Sequence, residues 1–227
     1  GLAEWIGGNI NLVLRSQDRY SLVLSGGSTP VVLYQLLASE YKNKVDWGRV
    51  DFFWGDERYV PFDDKRNNGK MAFETLLYPL NIPEKNIYRI QTSLPPEDAA
   101  SDYEKILKGY LKSSDHTFDF TLLGMGGDGH TLSVFPNSPL LDNEMDWVKN
   151  VLNTKENLQR ITLLPSLVNQ SRNIAFMVKG ADKAATLKEV IRGQYNPALY
   201  PSQLIKAEKG NLLWFTDEAA AEQLVKF

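Results

Sequence analysis

The feature that most constrains the fold of this chain is an alternation of short apolar runs with longer segments of helical spacing. The clearest runs lie at 21–24, 50–54, 118–123 and 173–178. Segments with apolar residues at helical spacing separate them, such as the one from Val31 to Ser39. Parallel strands need a crossover connection, which is usually a helix. The alternation therefore predicts an α/β fold with a mostly parallel sheet covered by helices on both faces.

Weaker signals complete this pattern. Further strands are predicted at 87–90, 147–152, 160–164 and 212–215. Further helices are predicted near the N-terminus, at 68–77 with an end at Pro79, from Pro96 to about Leu111, at 181–191 and at 217–225. Because no linker, repeat or low-complexity tract interrupts the series, we expect a single domain over residues 1–227.

Composition excludes several classes of protein. The 227 residues carry a net charge of −3, which gives no general attraction to nucleic acid or to an anionic membrane. No apolar run approaches the roughly 20 residues that span a bilayer. The chain has no cysteine, so it has no disulfide, no thiolate nucleophile and no cysteine-bound metal. We expect a cytoplasmic protein in which a local site holds any anionic ligand, and the sequence leaves the oligomeric state open.

The first candidate site is the turn Ser25-Gly-Gly-Ser-Thr-Pro30, between a predicted strand and a predicted helix. Ligands of open α/β sheets bind beyond the carboxyl ends of the strands. Backbone N–H groups and a helix N-terminus can face a phosphate there, with the Ser28 and Thr29 hydroxyls as further donors. The alternative is a plain turn in which Ser28 or Thr29 caps the helix. The turn is not a Walker loop, because the Gly-Lys-Ser/Thr ending is missing.

The second candidate site is Gly55-Asp-Glu-Arg-Tyr-Val-Pro61, followed by Asn67 and Asn68. It comes after an aromatic strand, and it crowds acids and a base together. The planar fork of Arg58 suits a phosphate or a carboxylate. The alternative is a solvated charged loop without a ligand.

The third candidate site is Gly124-Met-Gly-Gly-Asp-Gly-His130. Its glycines fit the dinucleotide pattern G-x-G-x-x-G, but Pro136 prevents the long helix that such a site needs. We interpret the turn as a shelf beside a ligand, with His130 placed for proton transfer; the alternative is a structural histidine. The other histidine, His116, lies in a polar segment and is predicted to be at the surface, so a His-rich metal site is excluded. A Ser–His–Asp arrangement stays open, although no G-x-S-x-G motif is present.

Taken together, the three turns resemble those of the 6-phosphogluconolactonases, cytoplasmic lactonases of the pentose phosphate pathway. The likeness runs from Ser25 to 214–220 and is carried by SGGSTP at 25–30, DERYVP at 56–61 and GMGGDGHTLSVFP at 124–136. It implies a three-layer α/β/α fold similar to glucosamine-6-phosphate deaminase and ribose-5-phosphate isomerase. The deaminases typically have Tyr in place of Arg58, and Asn-Glu-Pro in place of 134–136, so both differences favour the lactonases.

Some residues depart from the lactonase pattern. Leu132 and Val134 are apolar replacements that we expect only to repack the glycine turn. Asn67 stands where serine is usual, and Gly69 replaces a commonly bulky residue, so the second loop is expected to differ in its grip on a substrate.

The resemblance implies hydrolysis of 6-phospho-D-glucono-1,5-lactone to 6-phospho-D-gluconate without a metal or an organic cofactor. His130 is the expected general base, and Arg58 and Lys155 are expected to hold the phosphate. The full set expected to bind the sugar phosphate is Gly26, Gly27, Ser28, Thr29, Asp56, Arg58, Gly126, Gly127, Asp128, Gly129, Lys155 and Arg160. Which glycine turn meets the phosphate and which meets the lactone carbonyl stays open.

Two other functions are weighed against this one. A sugar-phosphate isomerase or deaminase on the same fold is disfavoured by Arg58 and by the residues after His130. A non-catalytic sugar-phosphate sensor generally needs a DNA-binding segment, and the chain shows no basic helix-turn-helix.

Overall fold

The computed structural model of the protein describes residues 1–111, 116–143 and 145–224. The strands are β1 Tyr20–Leu24, β2 Val50–Trp54, β3 Asp56–Arg58, β4 Ile87–Tyr88, β5 Phe120–Leu123, β6 Val148–Asn153, β7 Leu158–Leu163, β8 Asn173–Val178 and β9 Asn211–Thr216. The α-helices are α1 Leu2–Val13, α2 Val31–Glu40, α3 Asn68–Ala72, α4 Tyr78–Leu80, α5 Pro96–Tyr110, α6 Pro165–Val168, α7 Ala184–Arg192 and α8 Glu218–Ala221. The predicted strands are therefore present within a few residues of their expected bounds.

The main sheet has six parallel strands in the order β4-β2-β1-β5-β8-β9. Every residue of β1, β2 and β5 is buried. Strands that are buried on both faces read as continuous apolar runs rather than as alternating patterns, which is why the sequence revealed them. The predicted mostly parallel sheet is confirmed.

Helices cover both faces of this sheet. Leu22 pairs with Phe120, and the ring of Phe120 lies 5.2 Å from the ring of Trp5 in α1. Phe53 points to the opposite face, because it neighbours the residue in register with Leu22 and side chains alternate along a strand. Its ring lies 4.8 Å from that of Tyr110 in α5. The α/β/α arrangement of three layers is therefore confirmed.

A second, smaller sheet was not foreseen. It is antiparallel, with the order β3-β7-β6. Residues 56–58, which the sequence placed in a polar turn, form the edge strand β3 because their backbone pairs with β7. The strands predicted at 147–152 and 160–164 are present, but they form a hairpin in this sheet instead of joining the parallel one.

Two predicted helices have different bounds. The helix predicted to end at Pro79 continues to Leu80 through a wider π-turn at Phe73–Leu77, and it ends at Asn81 in the left-handed conformation. Such a turn changes the hydrogen-bonding pattern just before proline, which cannot donate. The last helix, α8, is shorter than the predicted 217–225, and Val225 lies outside the described residues.

His116 is not at the surface, so that prediction was wrong. Its side chain is buried, and its Nε2 lies 3.1 Å from Oδ1 of Asp119. A polar segment suggested exposure, but a carboxylate at the start of the next strand provides a polar partner inside the protein. In the described part of the chain, we find no helix with the length and apolar character needed to cross a membrane.

Candidate active site

A cavity of about 480 Å³ lies at the carboxyl ends of β1, β5 and β8. This is the end of an open α/β sheet at which ligands bind. The predicted site residues on its wall are Gly26, Gly27, Ser28, Thr29, Asp56, Arg58, Gly126, His130 and Arg160. The remaining predicted residues, Gly127, Asp128, Gly129 and Lys155, are not on the wall formed by the described residues. All three turns thus converge on one cavity, and some members of the third turn lie behind its surface.

The turn after β1 approaches the cavity with bare backbone. The Tyr34 hydroxyl accepts the N–H of Ser25 at 2.9 Å and donates to its carbonyl at 2.8 Å. A Cβ on Gly26 would lie 2.0 Å from Oδ1 of Asn68, so no other residue fits there. Gly27 has a φ of +85°, a conformation that favours glycine. Gly26 and Gly27 both line the cavity, and their N–H groups make no hydrogen bond within the described residues.

The alternative role of Ser28 and Thr29 as helix caps is wrong. Pro30 occupies the N-cap position of α2, and no side-chain cap is present among the described residues there. Both hydroxyl residues line the cavity instead. They can therefore act as donors or acceptors towards a ligand.

The strand β3 divides its three side chains between cavity and interior. Asp56 and Arg58 point to the cavity, and Glu57 between them is buried. The Asp56 carboxylate accepts the Ser133 hydroxyl at 2.6 Å, and its backbone carbonyl accepts the Asn68 amide at 3.0 Å. Asp56 is therefore held in place by protein contacts while one side of it faces the cavity.

Glu57 is a buried carboxylate, although the sequence places it in a polar loop and suggests no particular role for it. Its oxygens accept the N–H groups of Arg58 at 2.8 Å, Asn68 at 2.7 Å and Gly69 at 2.7 Å. Burial raises the pKa of Glu57 to about 7, although these three backbone donors act to lower it. This carboxylate ties the start of α3 to β3, so it fixes the position of both Asn68 and Arg58.

Two arginines face each other across the small sheet. Arg58 in β3 is in register with Arg160 in β7, and both line the cavity. The Arg58 guanidinium donates to the carbonyl of Arg66 at 2.8 Å, and Arg160 donates to the carboxylate of Glu156 at 2.5 Å. The Nε atoms of both are buried, and neither has a partner in the described part of the chain. Like charges opposite each other repel, so this arginine pair favours an anion between them.

His130 is held by a carboxylate. Its Nδ1 lies 2.5 Å from Oδ1 of Asp128, and its backbone N–H donates to the same oxygen at 3.2 Å. Nδ1 must carry the proton in this contact, so Nε2 has the free lone pair of a base. The hydrogen bond from the His130 ring holds the pKa of Asp128 well below its usual range. Lys155 donates to the other oxygen of Asp128 at 3.0 Å, which keeps that carboxylate ionised.

The backbone of the glycine turn positions the imidazole of His130. A Cβ on Gly126 would lie 2.1 Å from Nδ1 of His130, so the ring rests directly against the bare backbone. On another side the ring lies 4.8 Å from that of Phe135. The side chain keeps 32% of its surface exposed, at the cavity wall. The imidazole is thus fixed in orientation and still accessible.

Sequence reasoning missed several polar residues at the cavity. Glu156, Lys179, Asp182 and Lys183 line it, and Ser133 supports Asp56 from behind. Ser133 lies within a motif that was recognised, but nothing in the motif indicates its partner. Glu156 reaches the cavity through the β6–β7 hairpin, which only strand pairing reveals.

The described residues contain no group of three or more His, Cys, Asp and Glu side chains able to hold a metal ion.

Comparison with known proteins gives a match to one family model over residues 1–214, described as glucosamine-6-phosphate isomerases/6-phosphogluconolactonase. A 6-phosphogluconolactonase of the cyanobacterium Synechocystis is 36% identical over 95% of this chain and 89% of its own length. A probable chloroplastic 6-phosphogluconolactonase of rice is 37% identical over 90% of this chain. This chain spans 66% of the length of that rice protein.

Solved structures agree with the sequence comparison. The 6-phosphogluconolactonase of Trypanosoma brucei has a TM-score of 0.86 at 30% identity, covering 98% of this chain and 93% of its own. That of Thermotoga maritima has a TM-score of 0.83 at 31% identity, covering 95% and 93%. The likeness therefore extends over nearly the whole fold, including the end of the sheet that holds the cavity.

Proposed function

This chain belongs to the family of glucosamine-6-phosphate isomerases and 6-phosphogluconolactonases, and we propose that it acts as a 6-phosphogluconolactonase. It hydrolyses 6-phospho-D-glucono-1,5-lactone to 6-phospho-D-gluconate, a step of the oxidative pentose phosphate pathway, with His130 as general base. The observation that carries the proposal is that His130, oriented by Asp128, shares one cavity with the Arg58–Arg160 pair. A base for the lactone and a cationic anchor for the phosphate are then present together.

The reaction begins with water attacking the lactone carbonyl carbon. Nε2 of His130 takes one proton from this water, and the carbonyl oxygen becomes an alkoxide. A positioned base typically contributes about 10²–10⁴-fold to such a step. Asp128, which accepts from Nδ1, stabilises the imidazolium that forms.

Ring opening completes the reaction. As the carbonyl forms again, the bond from the carbonyl carbon to the ring oxygen breaks. The imidazolium returns its proton to that oxygen, which becomes a hydroxyl group of the open chain. The new carboxylic acid ionises at neutral pH, so each turnover releases one proton.

Donors for the alkoxide are best sought in the first turn. The N–H groups of Gly126 and Gly129 already donate within the third turn, to the carbonyls of His130 at 2.8 Å and Gly126 at 3.0 Å. Gly26 and Gly27 line the same cavity, and their N–H groups make no hydrogen bond within the described residues. Losing one such donor typically costs about 10²–10³-fold in kcat.

The charged residues of the predicted set then have three roles. The arginine pair holds the phosphate, whose binding energy orients the lactone. Asp56 accepts a sugar hydroxyl. Asp128 and Lys155 act through His130 instead of touching the substrate, which replaces the expected role of Lys155 at the phosphate.

The test offers the purified protein fresh phosphogluconolactone and, separately, glucosamine 6-phosphate. We expect proton release above a protein-free blank at the same pH with the first and no ammonia with the second. His130→Ala should lower kcat by about 10²–10⁴-fold. Its melting temperature should stay close to that of the parent, because the ring is partly exposed.

Either part of the proposal can fail separately. Ammonia release without lactone hydrolysis would assign the chain to the isomerases and deaminases of its family. Near-normal turnover by a folded His130→Ala variant would remove His130 from the role of base while leaving the lactonase activity in place.

A further inference from the structure

We propose that Glu156 is a resident counter-ion of the Arg58–Arg160 pair, which releases Arg160 when a phosphate monoester enters and so sets the affinity of the cavity for phosphorylated ligands. The inference rests on the proposed function in one respect, since it takes the arginine pair as the phosphate site. It adds a specificity-determining residue that lies outside the recognised motifs.

The two partners of this ion pair differ in their freedom to move. The Arg160 side chain is 7% exposed, whereas that of Glu156 is 55% exposed, and both line the cavity. A buried guanidinium held by its strand stays in place. The carboxylate can rotate into water at little cost, because charged groups are well solvated at the surface.

The backbone beneath Glu156 is fixed. The side-chain oxygen of Asn153 accepts the N–H groups of Lys155 at 3.1 Å and Glu156 at 3.4 Å. Asn153 is itself buried, and Asn157 closes the tip of the hairpin with a φ of +47°. Release of Arg160 therefore needs only a rotation of the Glu156 side chain, and the contact of Lys155 with Asp128 is kept.

Charge explains why a phosphate displaces the carboxylate. Glu156 carries one negative charge and contacts one member of the arginine pair. A phosphate monoester carries close to two at neutral pH, and its oxygens match the planar forks of both arginines. A ligand without a phosphate offers no such exchange.

The other described carboxylates on the cavity wall are engaged elsewhere. Asp56 accepts from Ser133 and Asp182 lies 3.1 Å from Nζ of Lys183. Asp182 therefore provides a matched control, because its removal takes the same charge from the same cavity without touching the arginine pair.

The experiment measures binding of inorganic phosphate by calorimetry to the parent protein, Glu156→Gln and Asp182→Asn. A site that its own carboxylate occupies part of the time binds phosphate with an affinity scaled by the fraction of the time that it is free, here about one third to one tenth for a half-exposed ion pair. Glu156→Gln should therefore tighten phosphate binding by about three- to tenfold. Asp182→Asn should change it less than about twofold, as expected for a screened surface charge.

Kinetics extend the same test to substrates. In Glu156→Gln the KM for phosphogluconolactone should fall in parallel with the phosphate dissociation constant, and kcat should stay the same. The KM for unphosphorylated glucono-1,5-lactone should stay unchanged.

Three outcomes would overturn the inference: unchanged phosphate affinity in Glu156→Gln, weaker affinity, or equal tightening in the two variants. These outcomes are separate from the fate of the proposed function. If the parent protein fails to hydrolyse the lactone, the lactonase assignment falls, and the phosphate titrations still decide the role of Glu156.

Discussion

Replacing Asp128 with asparagine should disable the base without removing it. Asp128→Asn keeps the shape of the side chain but removes the charge that faces Nδ1 of His130 at 2.5 Å. The amide can also present its NH₂ group to Nδ1, which moves the imidazole proton to Nε2. The Nε2 lone pair that should accept a proton from water is then lost.

The size of the effect follows from these two losses. A hydrogen bond to a charged group contributes about 1.5–3 kcal/mol, or roughly 10- to 150-fold in rate if all of it acts in the transition state. The wrong tautomer adds to this, and the corresponding change in a Ser–His–Asp triad costs about 10⁴-fold. We therefore expect kcat to fall by about 10²–10⁴-fold, with a small change in KM.

The assay is lactone hydrolysis above the blank, run on a double-mutant cycle. Asp128→Asn, His130→Ala and the double variant are compared with the parent protein. If Asp128 acts through His130, its replacement should cost almost nothing once the imidazole is absent. Nitrogen NMR of the ring should report a change of tautomer in Asp128→Asn.

The reasoning would be refuted by a folded Asp128→Asn variant with kcat within tenfold of the parent. It would equally be refuted by additive losses in the cycle, because additivity would mean that Asp128 contributes independently of His130.

Three further predictions concern two residues of the cavity wall and the buried Glu57. Gly126→Ala places a methyl group against the His130 ring and should lower kcat by about 10²-fold without unfolding the protein; unchanged kcat would show that the ring can move aside. Arg58→Ala should raise KM for phosphogluconolactone and leave KM for the unphosphorylated lactone unchanged, so equal effects on both would argue against a phosphate contact. Burial raises the pKa of Glu57 in the folded protein to about 7, above its value in the unfolded chain. The stabilising effect of protonated Glu57 is therefore complete below the unfolded pKa and is lost as the pH rises through about 7. In urea unfolding, the free energy of unfolding of Glu57→Gln should rise relative to that of the parent by up to about 3 kcal/mol between pH 4.5 and 7. If the two proteins show the same dependence of this free energy on pH, the raised pKa is contradicted.

Much of the fold could be read from local sequence. The strands of the main sheet are continuous apolar runs because both of their faces are buried, and the helices α5 and α7 show a clear helical period. The glycine turns could also be recognised from the sequence, since Gly26, Gly27 and Gly126 lie where a side chain would clash or where φ is positive. The position of the cavity then follows from the rule that parallel strands open their ligand sites at one end.

The small antiparallel sheet could not be read in this way. β3 has three residues, two of them charged at the cavity, so it looks like a loop until β7 pairs with it. The register that places Arg58 opposite Arg160 joins segments far apart in the chain, and no local period encodes such a pairing. The prediction for His116 failed because a polar segment gives no sign that His116 and its partner Asp119 are both buried.

By itself, then, the sequence determined the parallel sheet, its covering helices and the glycine turn that carries His130. These are short-range properties, set by side-chain period and backbone freedom. The tertiary structure alone decided that Asp128 orients the imidazole, that Glu57 ties α3 to β3 and that Glu156 meets Arg160. Each of these contacts depends on the distance and direction of a side-chain atom after folding. The sequence alone does not show whether a polar side chain will contact water, a backbone N–H or another charge.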